Sequence, residues 1–227
     1  MFGRFLGART PDFRGVGVLD YDEYWRHRGF EISKKLKERE TIFVDWIPAG
    51  ATVLDIGCGN SRLPVALKEK GCDVRVADVS PKVLEGYQAL GFRTMPLDLD
   101  KIADASLSGR YDFVIMSEVL EHTRNPEEII GRLKPLADRF VLSVPNSAFY
   151  RYRLHLMFSG RFFTQWVQHP SEHLRYWSHS DFLSWLSAMG LDVEKTVSSN
   201  GFGGRSGLKD LWPNMFGHQI CYLAKPE

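Results

Sequence analysis

The stretch VLDIGCGNS, residues 53–61, constrains this chain more than any other. Val53, Leu54 and Ile56 suit a buried strand, Asp55 interrupts them, and Gly57-Cys58-Gly59 follows at once. A strand that runs into a glycine turn and then a helix lets a ligand approach the backbone, and nucleotides commonly bind there. SRLPVALKEKG, residues 61–71, reads as that helix and ends at Gly71. DVRVADV reads as a second strand, whose acid Asp78 lies 21 residues beyond Gly57. An acid at that spacing reaches two ribose hydroxyls where a doubly wound sheet reverses its strand order.

The alternation continues down the chain. Ser80 is placed as an N-cap with Pro81 at the first helical position, and that helix stops at Gly91. FRTMPLDLD reads as a short strand with an acidic turn, and YDFVIMS as a fourth strand. Asn125, Pro126 and Glu128 open a helix as a capping box, and RFVLSVP is a fifth strand. HSDFLSWLSAMG is a helix starting near Ser180 or Asp181, and LDVEKTVSS and HQICYLAKP are two closing strands. Strands and helices alternating about every 20 residues imply βαβ units around a parallel sheet.

Composition bounds the class. With 227 residues, 44% hydrophobic and 25% charged, the chain suits one globular domain. A net charge of +1 carries no global argument for a nucleic-acid partner. Cys58, Cys72 and Cys221 are odd in number and unpaired in spacing, which fits a reduced, cytoplasmic protein. No apolar run approaches the length of a membrane span. The predicted organisation is an N-terminal arm and helical cap over residues 1–45 and one domain over 46–227.

Two features argue against a dinucleotide at the glycine turn. Arg62 stands where the third glycine of G-x-G-x-x-G belongs. Asp55 lies beside the place for a pyrophosphate, which needs positive charge around it. A ligand with an amino-acid ammonium and a ribose, but no phosphate, meets neither objection. S-adenosylmethionine is such a ligand.

VLDIGCGNS, VADVS, PLDLD and IMSEVLEH, in this order and spacing, resemble the class I S-adenosylmethionine-dependent methyltransferases across about residues 40–225. The resemblance implies a Rossmann-like α/β fold: seven strands, mostly parallel, with an antiparallel last strand and helices on both faces. It also implies cofactor contacts from Asp55, Gly57, Cys58 and Gly59, a ribose acid at Asp78, and Val79 packed on adenine. Asp98 would accept from the adenine amine with Leu99 beside it, and Ser117 and Glu118 would line the methyl-donor site. DWIPAGATVLDIGCG and SVPNSAFYRYRLHLMFSGR…HLRYWSHSDF further resemble the MetW family of methionine-biosynthesis proteins. That narrower resemblance implies an accessory protein that binds a homoserine acyltransferase. Asn60-Ser61 replaces the usual Asp-Gly of the turn, and SEVLEH looks more like the ubiquinone-type O-methyltransferases.

Transfer to a hydroxyl or amine of a small-molecule acceptor is helped by a general base, and His122 and His173 are the candidates. Glu118, Glu121 and His122 could alternatively hold a divalent metal, with Glu118 and His122 paired at i and i+4, as the ubiquinone-type resemblance implies. No metal is assigned. Residues 146–178 form an insert with 9 of the 29 aromatics, four arginines and no lysine. It reads either as a cover with Phe149, Tyr152 and Leu156 inward, or as an acceptor or partner surface built on arginines beside Trp166, Tyr176 and Trp177. YDEYW, from residue 21, could fold over the cofactor with Arg26 or Arg28 meeting its carboxylate.

Overall fold

Seven strands hydrogen-bond into one sheet in the computed structural model, which describes residues 21–163, 172–203 and 207–227. Two helices, α1 (Tyr21–Arg28) and α2 (Glu38–Trp46), precede β1 (Thr52–Ile56). Then α3 (Leu63–Glu69), β2 (Asp73–Asp78), α4 (Pro81–Ala89) and β3 (Arg93–Pro96) alternate. A 3₁₀ segment (Leu99–Asp104) leads to β4 (Tyr111–Ser117), and a single 3₁₀ turn (Leu120–His122) to α5 (Pro126–Leu133). After β5 (Ala137–Pro145) come α6 (Tyr150–Ser159), α7 (His179–Ala188) and β6 (Leu191–Gly201). Two one-turn helices, α8 (Leu208–Leu211) and α9 (Pro213–Phe216), separate β6 from β7 (Gly217–Pro226). The strand order is β3-β2-β1-β4-β5-β7-β6. Only β7 runs against its neighbours β5 and β6; the other pairings are parallel.

Period-two alternation gives the strands two apolar faces, and both are covered. Leu54, Val114, Met116, Phe140, Leu142 and Tyr222 meet α5 and α7 on one side. Val53, Phe113, Ile115, Val141 and Cys221 meet α2, α3 and α4 on the other. Asp55 shares the face of Val53, and that parity directs it toward α2 rather than α5. α2 buries Phe43, with Ile47 buried just past its end, and Glu40 lies on the stripe of Phe43, 2% exposed.

Local signals held with small changes. Ser80 stands at the N-cap of α4, and α3, α4 and α7 stop before Gly71, Gly91 and Gly190. The box that opens α7 is Ser178 with Asp181: the Ser178 hydroxyl accepts from the Asp181 N–H and Asp181 from the Ser178 N–H. At α5, Glu128 accepts from the Asn125 side-chain amide instead of its backbone N–H. The expected arm at residues 1–20 lies outside the described residues. No described helix is long and apolar enough to cross a membrane.

Candidate active site

The sheet's strand order reverses between β1 and β4, and a crevice opens there at the carboxyl ends. It is a cavity of about 370 Å³, within the size range of small-molecule sites. Asp55, Gly57, Cys58, Gly59, Asp78, Val79, Asp98, Leu99, Ser117, Glu118, His122 and His173 all line it. The strand ends, with the segment that carries His173, thus bring the predicted cofactor residues and both candidate bases to one crevice.

The glycine turn is shaped by close neighbours. Gly57 has φ +67° and Gly59 φ +50°, and a Cβ would fall 2.6 Å from Val119 Cγ2 and from Trp25 Cη2 respectively. Either alanine would pay for a left-handed backbone and for displacing a packed side chain. Gly57→Ala should lower unfolding stability by about 1–3 kcal/mol, read from a denaturant titration. An unchanged midpoint would mean that Val119 yields freely.

Carboxylates crowd the turn. Asp78 Oδ2 accepts from the Gly59 N–H and Oδ1 from the Ser80 N–H, both at 2.9 Å. Each oxygen keeps a second acceptor position. Asp55 is 2% exposed, and its carboxyl is pushed well above the usual range by burial, then by Glu40 and Asp78. Glu40 accepts from the Ser61 hydroxyl at 3.0 Å and the Lys37 N–H at 2.9 Å. Farther along the wall, Asp98 caps the 3₁₀ segment by accepting from the Asp100 N–H and pairs with Lys101 at 3.0 Å. Val79 is exposed in the crevice wall.

At the other end, the segment 172–175 folds back onto the turn after β4. The Leu174 and Arg175 N–H groups donate to the Glu121 carbonyl, and His122 Nδ1 bonds the Glu172 carbonyl. A carbonyl can only accept, so Nδ1 carries the proton and Nε2 holds the free lone pair. The rings of His122 and His173 meet edge to face at 4.7 Å. Burial lowers His122 to about 4 and His173 to about 3, the neighbouring ring adding to the latter, so both are neutral near pH 7. Glu121 is 1% exposed with neither side-chain oxygen hydrogen-bonded among the described residues, and burial raises its carboxyl well above the usual range.

Several expectations are corrected. Glu118 and His122 do not share a helical face: Glu118 has φ +57° at the strand end, and only three residues of 3₁₀ turn follow. Glu118 Oε2 instead accepts from Gln219 at 2.8 Å. The donor atoms that converge, within 4.8 Å of one another, belong to Glu121, His122 and His173. Arg26 is not in the crevice wall; Arg28 is, stacked on Tyr24 at 4.2 Å and paired with Glu172 at 3.8 Å. Trp177 is a core residue packed on Phe182 and Trp185, and Arg175 reaches the Arg124 carbonyl and Glu127. Tyr176 is exposed and outside the crevice wall, Leu156 is 40% exposed rather than inward, and Trp166 lies outside the described residues.

The crevice also holds residues that motif reading missed. Lys37, Arg39 and Glu40 line it from α2 and the residue before it. Arg39 Nε donates to Ser117 Oγ at 3.0 Å. Glu40 had one signal, since it sits at i and i+3 with Phe43 on an apolar stripe. Tyr152, expected to face inward, hydrogen-bonds His218 at 2.7 Å and completes the far wall with it and Gln219; nothing local marks His218 or Gln219.

Known structures repeat this architecture. A TehB-like S-adenosylmethionine-dependent methyltransferase from Corynebacterium glutamicum superposes with TM-score 0.59 at 17% identity, covering 91% of this chain and 96% of that one. The magnesium protoporphyrin IX methyltransferase of Synechocystis, solved with bound S-adenosylhomocysteine, gives 0.58 at 20% identity over 100% and 93%. At these identities the likeness establishes the Rossmann-like methyltransferase fold. The ubiquinone biosynthesis O-methyltransferase of Dechloromonas aromatica is 26% identical over 72% of this chain and 76% of its own. The bifunctional methionine biosynthesis protein MetXA/MetW of Rhodopirellula baltica is 25% identical over 54% of this chain, which spans only 21% of that protein. The family described as methionine biosynthesis protein MetW matches residues 37–224, from the cavity-lining Lys37 nearly to the end of β7, and the chain therefore belongs to the MetW family.

Proposed function

We propose that the protein binds S-adenosylmethionine in the crevice and transfers its methyl group to a small-molecule acceptor. The observation that carries this reading is the convergence of Glu40, Asp55 and Asp78 on one glycine turn. Three carboxylates there repel one another, and a cationic ligand bearing a ribose relieves that repulsion. The turn admits such a ligand because neither glycine places a Cβ into the crevice. Asp78 would hold the ribose, Asp55 the ammonium, Asp98 and Leu99 the adenine edge, and Val79 its face. Arg28, Lys37 and Arg39, but not Arg26, are the cations in the crevice wall available to the carboxylate.

When bound, the cofactor supplies an electrophilic methyl group. The chain's own part is to orient the acceptor and take its proton. His122 is suited to that as a neutral imidazole whose Nδ1 is tied to the Glu172 carbonyl, leaving Nε2 as the base. His173 lies against it.

Proton linkage tests the cofactor site. Asp55 is protonated below its raised pKa, and the ammonium favours its ionised form, so binding releases a proton. Affinity for S-adenosylmethionine should therefore rise with pH through that value and then level off. Calorimetry in buffers of different ionisation enthalpy reads the release. Asp55→Asn should abolish it and weaken binding by about 1–3 kcal/mol. Linkage that persists in Asp55→Asn would move the ammonium elsewhere.

A second reading is favoured by the match to MetW and by the fused MetXA/MetW relative. In it the chain is an accessory subunit of a homoserine acyltransferase and catalyses little itself. Stoichiometric recovery of an acyltransferase with the tagged chain from native cells, without methyl transfer to any acceptor tried, would favour it over the enzyme.

A further inference from the structure

Glu121 is buried in the crevice wall without a partner. It sits on the 3₁₀ turn after β4, 1% exposed, and neither carboxyl oxygen is hydrogen-bonded among the described residues. Burying a carboxyl in that state is strongly unfavourable, and folded chains seldom leave one so. Its backbone is held in place, because the Glu121 carbonyl accepts from the Leu174 and Arg175 N–H groups. The side chain is thus fixed where a group from a ligand can complete it.

The surroundings show what that group must carry. Glu118 Oε1 and His173 Nδ1 are also buried without a partner, and both residues line the crevice. A Glu121 oxygen lies within 4.8 Å of a ring nitrogen of His122 and of His173. The cations of the wall are engaged elsewhere: Arg28 with Glu172 at 3.8 Å, Lys37 with Glu40 at 3.8 Å, and Arg39 with Ser117 at 3.0 Å. No described cation pairs with Glu121. Tyr21 and Tyr24 join the same wall from α1. Burial, followed by Asp100, Asp78, Glu121 and Glu172, pushes the Tyr21 phenol up to about 12, so the field here is negative. An anionic ligand would be repelled. A cation with several N–H donors meets both the charge and the empty acceptor positions, and aromatic rings favour it further.

We propose that the acceptor is an organic amine whose ammonium docks on the Glu121 carboxylate, beside His122 and His173. Calling this ligand the acceptor rests on the methyl-transfer reading; the ammonium subsite itself does not. The ammonium supplies donors to both carboxyl oxygens and the positive charge that favours their ionised form. Because Glu121 stands next to His122, an anchored amine holds the rest of the acceptor close to the candidate base. Alcohols and carboxylic acids that lack an amino group are disfavoured by the same subsite.

Matched probes test it, titrated by ligand-observed NMR into the full chain in metal-free buffer near neutral pH, with and without S-adenosylhomocysteine. Benzylamine is set against benzyl alcohol and benzoate, and butylamine against butanol and butyrate. In at least one series the amine should bind roughly tenfold or more tighter than the alcohol, as a hydrogen bond to a charged group gives. The carboxylate should bind more weakly than the alcohol. Glu121→Gln should erase the amine's advantage while S-adenosylhomocysteine affinity is kept, and Glu121→Asp, which retains the charge, should preserve part of that advantage. Equal binding of amine and alcohol in both series, undetectable binding included, would overturn the proposal and leave the cofactor reading standing. An amine preference that Glu121→Gln leaves intact would overturn it too. Zinc or magnesium bound by the chain, lost in Glu121→Gln and displaced by neither amine, would give the carboxylate to a metal instead. If S-adenosylhomocysteine fails to bind while the Glu121-dependent amine preference holds, the methyl-transfer reading falls and the ammonium subsite stands.

Discussion

Asp78→Ala should lose S-adenosylmethionine affinity by on the order of 2–4 kcal/mol, the worth of two hydrogen bonds to a charged acceptor. The carboxylate also organises the glycine turn, because its oxygens accept from Gly59 and Ser80. Part of the loss would therefore come from a slackened turn, and a second variant separates the two contributions. Asp78→Asn keeps the shape and one acceptor oxygen but offers an amide where either the ribose or a backbone N–H needs an acceptor. It should lose less affinity than the alanine while retaining more of the melting temperature. Calorimetry with S-adenosylhomocysteine reads both variants. Unchanged affinity in Asp78→Ala would remove the ribose assignment and, with it, the case for this cofactor at this turn.

His122→Ala should keep cofactor affinity and lose roughly 100-fold or more in turnover, followed as S-adenosylhomocysteine release against any hydroxyl acceptor that a screen returns. The pH profile gives a second signature. His122 is lowered to about 4, so it is unprotonated and available as a base well into mild acid. Its contribution to turnover should be level from about pH 8 to about pH 5 and fall only as the pH drops through the folded value. An ordinary imidazole would lose activity near its usual pKa of about 6.5. His173→Ala separates the two rings. If its turnover falls while that of His122→Ala does not, the base belongs to the insert rather than to the turn after β4. If neither changes, transfer rests on alignment alone.

Much of this architecture was legible because the relevant physics is short-range. Strands β1, β2, β4 and β5 appear where apolar alternation put them, and Ser80-Pro81 marks a helix start through backbone chemistry that needs no partner. Asp55, Asp78 and Asp98 were legible as a group because a doubly wound sheet brings successive strand ends to one edge. Failures occurred where a residue's role depends on something far away in the chain. Glu118 and His122 read as an i, i+4 pair only if the helix begins at residue 118. Packing against β5, with the Glu118 N–H donating to the Ser143 carbonyl, imposes a left-handed residue there instead.

The sequence by itself determined the fold class, the strand edge on which a ligand can sit, and the charge of the groups awaiting it, all encoded in local pattern and spacing. Only the tertiary structure decided the rest. It alone brings Glu40 from a charge-rich helix to a buried place beside Asp55, and His173 onto His122 across fifty residues of chain. It also leaves Leu156 exposed near the end of α6, while Phe149 and Tyr152 turn inward as a cover predicts. Each of these follows from the free energy of a surface assembled from distant segments, where burial and hydrogen-bond partners exist only after the chain has folded.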